Sequence, residues 1–127
     1  MAHTFRVHGE MTAKPSSGSP SGCVSFSAPI DESISLSKEP ATAEYDLTAD
    51  APQAVAFGAL SQANVIMIKT VGGKVAATLT SADGAAQVIP VDSFALIMST
   101  TVPYTALSIT RAAGVATTVK ILLGERT

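Results

Sequence analysis

Turn-forming residues recur along the chain at intervals of roughly 8 to 12 residues, a spacing typical of short strands. Five of these turns, which contain Gly, Pro or Asp, fall at Asp50–Pro52, Gly72–Gly73, Ser81–Gly84, Val102–Tyr104 and Ala112–Gly114. Between the turns, apolar and polar residues alternate with the period of two expected for half-buried strands. The pattern predicts an all-β fold, a single antiparallel β-sandwich or jelly-roll-like domain of about eight strands.

The N-terminal part of the chain predicts short strands around one long irregular segment. Phe5 and Val7 alternate with polar residues, and a stretch rich in Ser, Gly and Pro follows from Thr12 to Gly22. Short strands are predicted next, at Val24–Ala28, Ile34–Leu36 and Tyr45–Leu47. We expect an N-terminal strand and flexible arm at residues 1–22 and the sandwich domain at residues 23–127. In a monomer the arm is an idle loop; in an assembly it becomes ordered on a neighbour.

Gly72-Gly73-Lys74 fits either a phosphate-binding loop or a turn. A phosphate loop needs a glycine at position 68, a Ser or Thr after the lysine, and a helix that follows. Position 68 is Ile, position 75 is Val, and the stretch KVAATLT alternates as a strand does. Glycine adopts the positive φ of a two-residue hairpin turn without steric cost, so the sequence predicts a β-hairpin here.

The surface of this chain is expected to carry little charge. Charged residues make up 14% of the sequence, where about a quarter is typical, and the chain contains 21 Ala, 14 Ser and 14 Thr. Small side chains lose little conformational entropy on immobilisation, which favours protein contacts and a homo-oligomer; a weakly charged monomer is the alternative. The net charge of −2 supplies no basic field for phosphates, so nucleic acid is not an expected partner.

Segments for export or membrane insertion are not expected. The N-terminal residues contain no apolar run of the kind found in signal peptides, and no stretch approaches the length of a membrane span. We therefore expect synthesis in the cytoplasm and no membrane partner. The single cysteine, Cys23, is compatible with a reducing compartment, and its strand position predicts a small core residue.

Groups that carry catalysis are scarce in the sequence. His3 and His8 fall on opposite faces of a strand, so together with Glu10 they form no familiar metal site. Cys23 has no histidine close to it in the sequence. Possible carboxylate pairs lie in or beside turns, where Asp usually caps backbone amides: Asp31-Glu32, Asp46 with Asp50, and Asp83 with Asp92. The sequence predicts a protein that is not an enzyme and holds no cofactor or metal.

The aromatic residues give two candidates for partner contact. The sequence has no Trp, and its four Phe fall in apolar phase, which predicts core positions: Phe5, Phe26, Phe57 and Phe94. Tyr45 and Tyr104 remain, and each could contact a partner or pack its ring with the hydroxyl at the rim.

The segment from Val65 to Glu125 resembles small β-sandwich structural proteins of tailed bacteriophages. The likeness lies in an apolar strand before a Gly turn, the turn TSADG, the strand IPVDSFALIMST and the closing YTALSITRAAGVATTVKILLGE. The resemblance implies a non-enzymatic virion subunit, a decoration or cement protein that stabilises the head through contacts with the major capsid protein. The alternative is a tail, neck or fibre component whose β-sandwich binds a receptor or glycan.

Partner contacts in such a virion subunit are expected at the N-terminal strand, the arm and the two tyrosines. Unpaired backbone groups of an edge strand can extend a neighbour's sheet, which gives the strand and arm a means of anchoring the subunit. The residues expected to contact other virion proteins are Phe5, Val7, Pro15, Pro20, Tyr45 and Tyr104.

Overall fold

The computed structural model describes residues 3–13 and 26–127, with side chains described for residues 3–9 and 31–127. Every regular element in the described residues is a β-strand, which confirms the predicted all-β class. Two strands form a separate ribbon, β1 (His3–Ala13) and β2 (Phe26–Leu36). The remaining strands form the body: β3 (Ala41–Leu47), β4 (Gln53–Ala54), β5 (Val65–Val71), β6 (Val75–Ser81), β7 (Ala86–Val91), β8 (Phe94–Met98), β9 (Tyr104–Arg111) and β10 (Thr117–Gly124).

The strands of the body form two antiparallel sheets, in agreement with the predicted sandwich. The first sheet has the order β3-β10-β5-β8 and the second has the order β4-β9-β6-β7. Strands pair in a nested series, β3 with β10, β4 with β9, β5 with β8 and β6 with β7. Within the body, the β6–β7 connection stays in one sheet, and each of the other connections crosses to the opposite sheet.

The core lies between the two sheets because alternate residues of each strand face inward. The largest fully buried side chains of this core come from both sheets: Ile66, Ile68, Leu79, Val91, Ile109, Val119 and Leu123. Burying one such side chain contributes roughly 1.5–3 kcal/mol. The outward-facing residues of each sheet are left to form surfaces.

Gly72 and Gly73 do not close a hairpin, so that prediction is wrong. They carry the chain from β5 in the first sheet to β6 in the second. Strands that face each other across a core show the same alternation as strands that pair, so the sequence pattern does not separate the two cases. The turn itself is present, since Gly72 has a φ of 96°. A strand follows at Val75, whereas a phosphate loop would open a helix.

Ser81–Gly84 forms the predicted turn, and it joins β6 to β7 within one sheet. The Ser81 amide donates to the Ala85 carbonyl at 2.9 Å, and Gly84 has a φ of 90°. Asp83 accepts hydrogen bonds from the Ser81 hydroxyl and the Ala85 amide, which hold the pKa of Asp83 below its usual value. Pro90 lies on β7 at the edge of its sheet, as expected for a residue without an N–H donor.

The strand β2 is longer than the sequence predicts. It runs without a break from Phe26 to Leu36 and pairs with β1, in a register from Ala13–Phe26 to His3–Leu36. The prediction of two shorter strands here is wrong, because the long-range pairing with β1 keeps the backbone extended through Pro29. The predicted domain boundary at residues 22 and 23, Cys23 and most of the predicted arm lie outside the described residues.

Asp50 connects the turn before β4 with the turn between β9 and β10. Its Oδ1 accepts hydrogen bonds from the Gly114 amide at 3.0 Å and from Arg111 Nε at 2.9 Å. The Gly114 amide, followed by the Arg111 guanidinium, holds the pKa of Asp50 below the ordinary value of 3.8. Folding therefore favours the ionised carboxylate.

We expect the stabilising effect of Asp50 to be lost in acid. A lowered pKa in the folded state gives stability that is present above the unfolded pKa and lost as pH falls through the folded value. Urea unfolding at neutral pH should therefore show D50N to be less stable than wild type, and the difference should shrink below about pH 3.8. D92N, at an exposed aspartate, is the control. A difference that stays constant with pH would contradict this account.

Candidate interaction surfaces

The ribbon is fixed to the body at the end formed by His3 and Leu36. Ile34 and Leu36 are buried against Val65 of β5, and Phe5 packs against the same group. Leu96, Met98 and Leu122 complete this second hydrophobic cluster. Backbone hydrogen bonds also hold β2, from the Ser37 amide to the Glu125 carbonyl and from the Thr127 amide to the Ser35 carbonyl, both at 2.9 Å. The root of the ribbon is thus part of the packed structure.

Beyond this root, β1 and β2 stay paired from Arg6–Ser33 to Ala13–Phe26. At about 3.4 Å per residue, this part is roughly 25 Å long. Asp31 accepts hydrogen bonds from Arg6 at 3.0 and 3.2 Å, and His8 Nδ1 lies 3.8 Å from the same carboxylate. An isolated two-stranded ribbon is marginally stable in water, so this part is suited to stabilisation by a partner.

Phe5 and Val7, two of the residues expected to contact a partner, lie on β1 and differ in their surroundings. Phe5 belongs to the second hydrophobic cluster and packs on the body. Val7 is half-buried and is paired by register with Glu32, which is exposed. Val7 and Glu32 therefore form the next pair on this face of the ribbon, beyond Phe5 and Ile34.

A groove lies on the outer face of the first sheet. Its floor is apolar and includes Met67 of β5 and Leu122 of β10, which are direct cross-strand neighbours. The next pair of these strands on the same outer face is Lys69 with Lys120, and both side chains are exposed. The groove has a volume of about 440 Å³ and is lined by Thr42, Ala43, Glu44, Met67, Lys69, Lys120, Ile121 and Leu122.

Lys69 and Lys120 place two positive charges directly opposite each other. Like charges in this arrangement destabilise a sheet, by up to about 1 kcal/mol. Glu44 is the register partner of Lys120 on its other side, but neither lysine forms an ion pair within 4.0 Å among the described residues. Both ammonium groups are thus available to an anionic group from outside.

Phe94 extends this face toward the edge of the sheet. It is the register partner of Lys69 on β8 and is 55% exposed, so the prediction that Phe94 is a core residue is wrong. Val71 on β5 is 58% exposed as well. Phe57 packs against the main core, and the side chain of Phe26 lies outside the described side chains. The first sheet therefore presents both apolar and cationic groups.

The outer face of the second sheet carries no charged side chain among its described residues. Register and alternation place small or β-branched residues there in three rows. These rows are Thr110, Ala76 and Pro90; Ala54, Ser108, Thr78 and Val88; and Ala106, Thr80 and Ala86. Val88 is 65% exposed. We call this surface the uncharged face.

Of the remaining predicted partner residues, Tyr45 and Tyr104 lie in the part of the chain that the structure describes. Tyr45 packs its ring against the main core, and its hydroxyl accepts a hydrogen bond from the Ala56 amide at 3.0 Å. Tyr104 also packs against the core, and its backbone pairs with Ala63 in both directions at 2.8 Å. Pro15 and Pro20 lie outside the described residues. A partner role for these four residues stays a prediction.

Four of the six carboxylates considered as catalytic pairs have hydrogen-bond partners, whereas Glu32 and Asp92 are exposed. Asp31 bonds to Arg6, and Asp46 accepts a hydrogen bond from the Thr118 hydroxyl at 2.9 Å. Asp50 and Asp83 hold the turns described above. In the part of the chain that the structure describes, no group of three or more His, Cys, Asp or Glu side chains is placed to hold a metal ion. The same residues contain no helix that is long and apolar enough to cross a membrane.

The charge pair Lys69–Lys120 and the uncharged face were not singled out by the sequence. One lysine inside each apolar run, VIMIKTV and TTVKILLG, indicates an outward position. Only the register shows that the two lysines are neighbours.

Comparison of the chain with protein-family models, with curated proteins and with solved structures gave no match. The fold and its surfaces define an all-β sandwich with a projecting ribbon. The likeness to phage structural proteins stays an interpretation of the sequence pattern.

Proposed function

We propose that this chain is a non-enzymatic structural subunit of a tailed-phage virion, a decoration or cement protein that stabilises the head. Three features support the proposal: the sequence likeness, the ribbon that projects from the body, and the uncharged face. The expected partners are the major capsid protein and further copies of the chain. Tail proteins are the partners if the subunit belongs to the tail.

The strand pairing supports a jelly roll as the finer description of the sandwich. The nested pairs from β3–β10 to β6–β7 correspond to one long antiparallel hairpin whose two arms wrap together. Wrapping brings β10 beside β5 and β9 beside β6, which completes the two sheets. Jelly rolls of this size occur in viral capsid and lectin domains.

The uncharged face is the observation that carries the proposal. Covering it with another protein removes no charge from water, and its Ala, Ser, Thr, Val and Pro side chains have little rotamer entropy to lose. Val88 offers exposed apolar area at the end of the middle row, on the edge strand β7. The surface is therefore suited to a broad contact with a shell of protein subunits.

A charge placed on the uncharged face should prevent incorporation. We expect T78K and A106K to reduce the amount of protein in particles of the phage that encodes the chain by at least about tenfold, since a buried unpaired charge costs more than about 1.4 kcal/mol. A113K, at an exposed residue in the turn before β10, is the matched control. Quantitative mass spectrometry of purified particles gives the result.

The outcome that contradicts the proposal is a wild-type chain that is absent from those particles. If the wild type is present and T78K, A106K and A113K are incorporated equally, the uncharged face is not the contact surface. Circular dichroism and thermal unfolding of each variant show whether a loss of incorporation reflects misfolding instead.

Exposed Phe94 supports a second candidate, a fibre or tail module that binds a receptor or glycan. An exposed aromatic ring can stack on a flat apolar surface of a ligand. Binding of the purified chain to cells or to a panel of glycans, lost in F94A, would favour this function over a cement protein.

A further inference from the structure

The lysine pair on the first sheet lacks the carboxylate partner that three other described cations have. Arg6 pairs with Asp31, Lys38 lies 3.8 Å from Glu125, and Arg111 pairs with Asp50. Lys69 and Lys120 instead lie opposite each other at the end of an apolar groove. With Glu44 as the single acidic group in its lining, the groove has a net positive charge. The apolar floor and the net positive charge of the groove suit an apolar segment that carries a carboxylate.

The ribbon carries such a segment. Val7 and Glu32 form the register pair two residues beyond Phe5 and Ile34, on the same face of the ribbon. Phe5 and Ile34 rest on the body, whereas Glu32 is exposed and forms no ion pair within 4.0 Å among the described residues. Asp31, by contrast, is on the opposite face and is already paired with Arg6.

We propose that the groove of one copy binds the ribbon of a second copy. Val7 packs on Met67 and Leu122, and the carboxylate of Glu32 lies between the ammonium groups of Lys69 and Lys120. The contact relieves the repulsion of the two lysines and stabilises a ribbon that is marginal by itself. It deepens the proposed function and rests on it, because it names the contact through which copies of the structural subunit associate.

The arrangement determines the possible assemblies. Two copies that exchange ribbons form a closed dimer with two identical contacts, whereas one-way insertion forms a ring or an open chain. Each of these gives a solution mass at least twice the 12.9 kDa of a single chain.

Charge reversal with complementation tests the contact on the full-length protein. Light scattering measures the association of wild type, E32K and the double variant K69E/K120E. We expect the wild type to associate and each variant alone to associate at least about tenfold more weakly, because each variant places like charges together. K74E reverses an exposed lysine outside the groove and should leave association unchanged.

Mixing E32K with K69E/K120E is the decisive step. In the mixed pair, the lysine introduced at position 32 of one copy meets the two glutamates introduced at positions 69 and 120 of the other, and the remaining contact has the native charges. We expect association to return to within a few fold of wild type in the mixture only. All variants should retain the circular dichroism spectrum and thermal midpoint of the wild type, since the altered side chains are exposed.

Three outcomes would overturn the inference: a wild type that is monomeric, association that is unaffected by charge reversal, or a mixture that does not recover. The proposed function fails separately. A monomeric wild type that is nevertheless present in virions would refute this contact and leave the virion role intact. A chain that complements in solution and is absent from virions would do the reverse.

Discussion

Replacing Gly72 by alanine is expected to lower the free energy of unfolding by about 2–5 kcal/mol. An alanine at the φ of 96° is strained, which costs roughly 1–2 kcal/mol. In addition, its Cβ would lie 2.9 Å from the Ala116 carbonyl oxygen, a backbone atom that cannot move independently. Overpacking of this kind adds about 1–3 kcal/mol. Urea unfolding followed by circular dichroism measures the change.

G84A separates the two contributions to this prediction. Gly84 has a φ of 90°, but a Cβ there would meet nothing within 4 Å. We therefore expect G84A to cost only the strain, about 1–2 kcal/mol. Equal losses in G72A and G84A would show that the close approach between the β5–β6 crossing and residue 116 is not rigid.

Truncating Leu36 is expected to lower the free energy of unfolding by about 2–4 kcal/mol, the cost of removing a buried Leu side chain. Leu36 is 4% exposed and packs so closely on β10 that a Cβ at Gly124 would approach its Cδ2 to 3.0 Å. Because Leu36 joins the ribbon to the body, L36A should also speed hydrogen exchange at the Ser37 and Thr127 amides, which bond across this junction.

V88A is the control for Leu36, since Val88 is exposed and its truncation should change stability by no more than about 0.5 kcal/mol. If L36A were as mild as V88A, the ribbon root would not contribute to the folding of the body. Faster exchange at Ser37 and Thr127 without a loss of global stability would show that the ribbon detaches as a separate unit.

The fold class could be predicted from the sequence because its signals are local. Turn residues at Ser81–Gly84 and Ala112–Gly114, and the alternation between turns, fix where strands begin and end. Which strands pair is not local information. The sequence predicts a hairpin at the Gly72-Gly73 turn, which is instead a crossing between sheets, because the choice depends on β10 and β8 being available as partners for β5.

The candidate surfaces could not be predicted for the same reason, because their residues are brought together by strand pairing. Phe94 has the alternation of a core residue, but it falls on the outer face because its register partner Lys69 does. Lys69 and Lys120 are far apart in the sequence and become neighbours only through the β5–β10 register. By contrast, the scarcity of charge that produces the uncharged face was visible in the composition.

The junction between the ribbon and residues 125–127 limits when the ribbon can pack on the body during translation. Ser37 bonds to Glu125, 88 residues later in the chain, and Ser35 accepts from Thr127 across 92 residues. At a synthesis rate of about 5–20 residues per second, β2 leaves the ribosome several seconds before its anchoring partners exist. The ribbon therefore cannot take its final position during most of translation. The packed root of the ribbon is completed only after residues 125–127 have been synthesised.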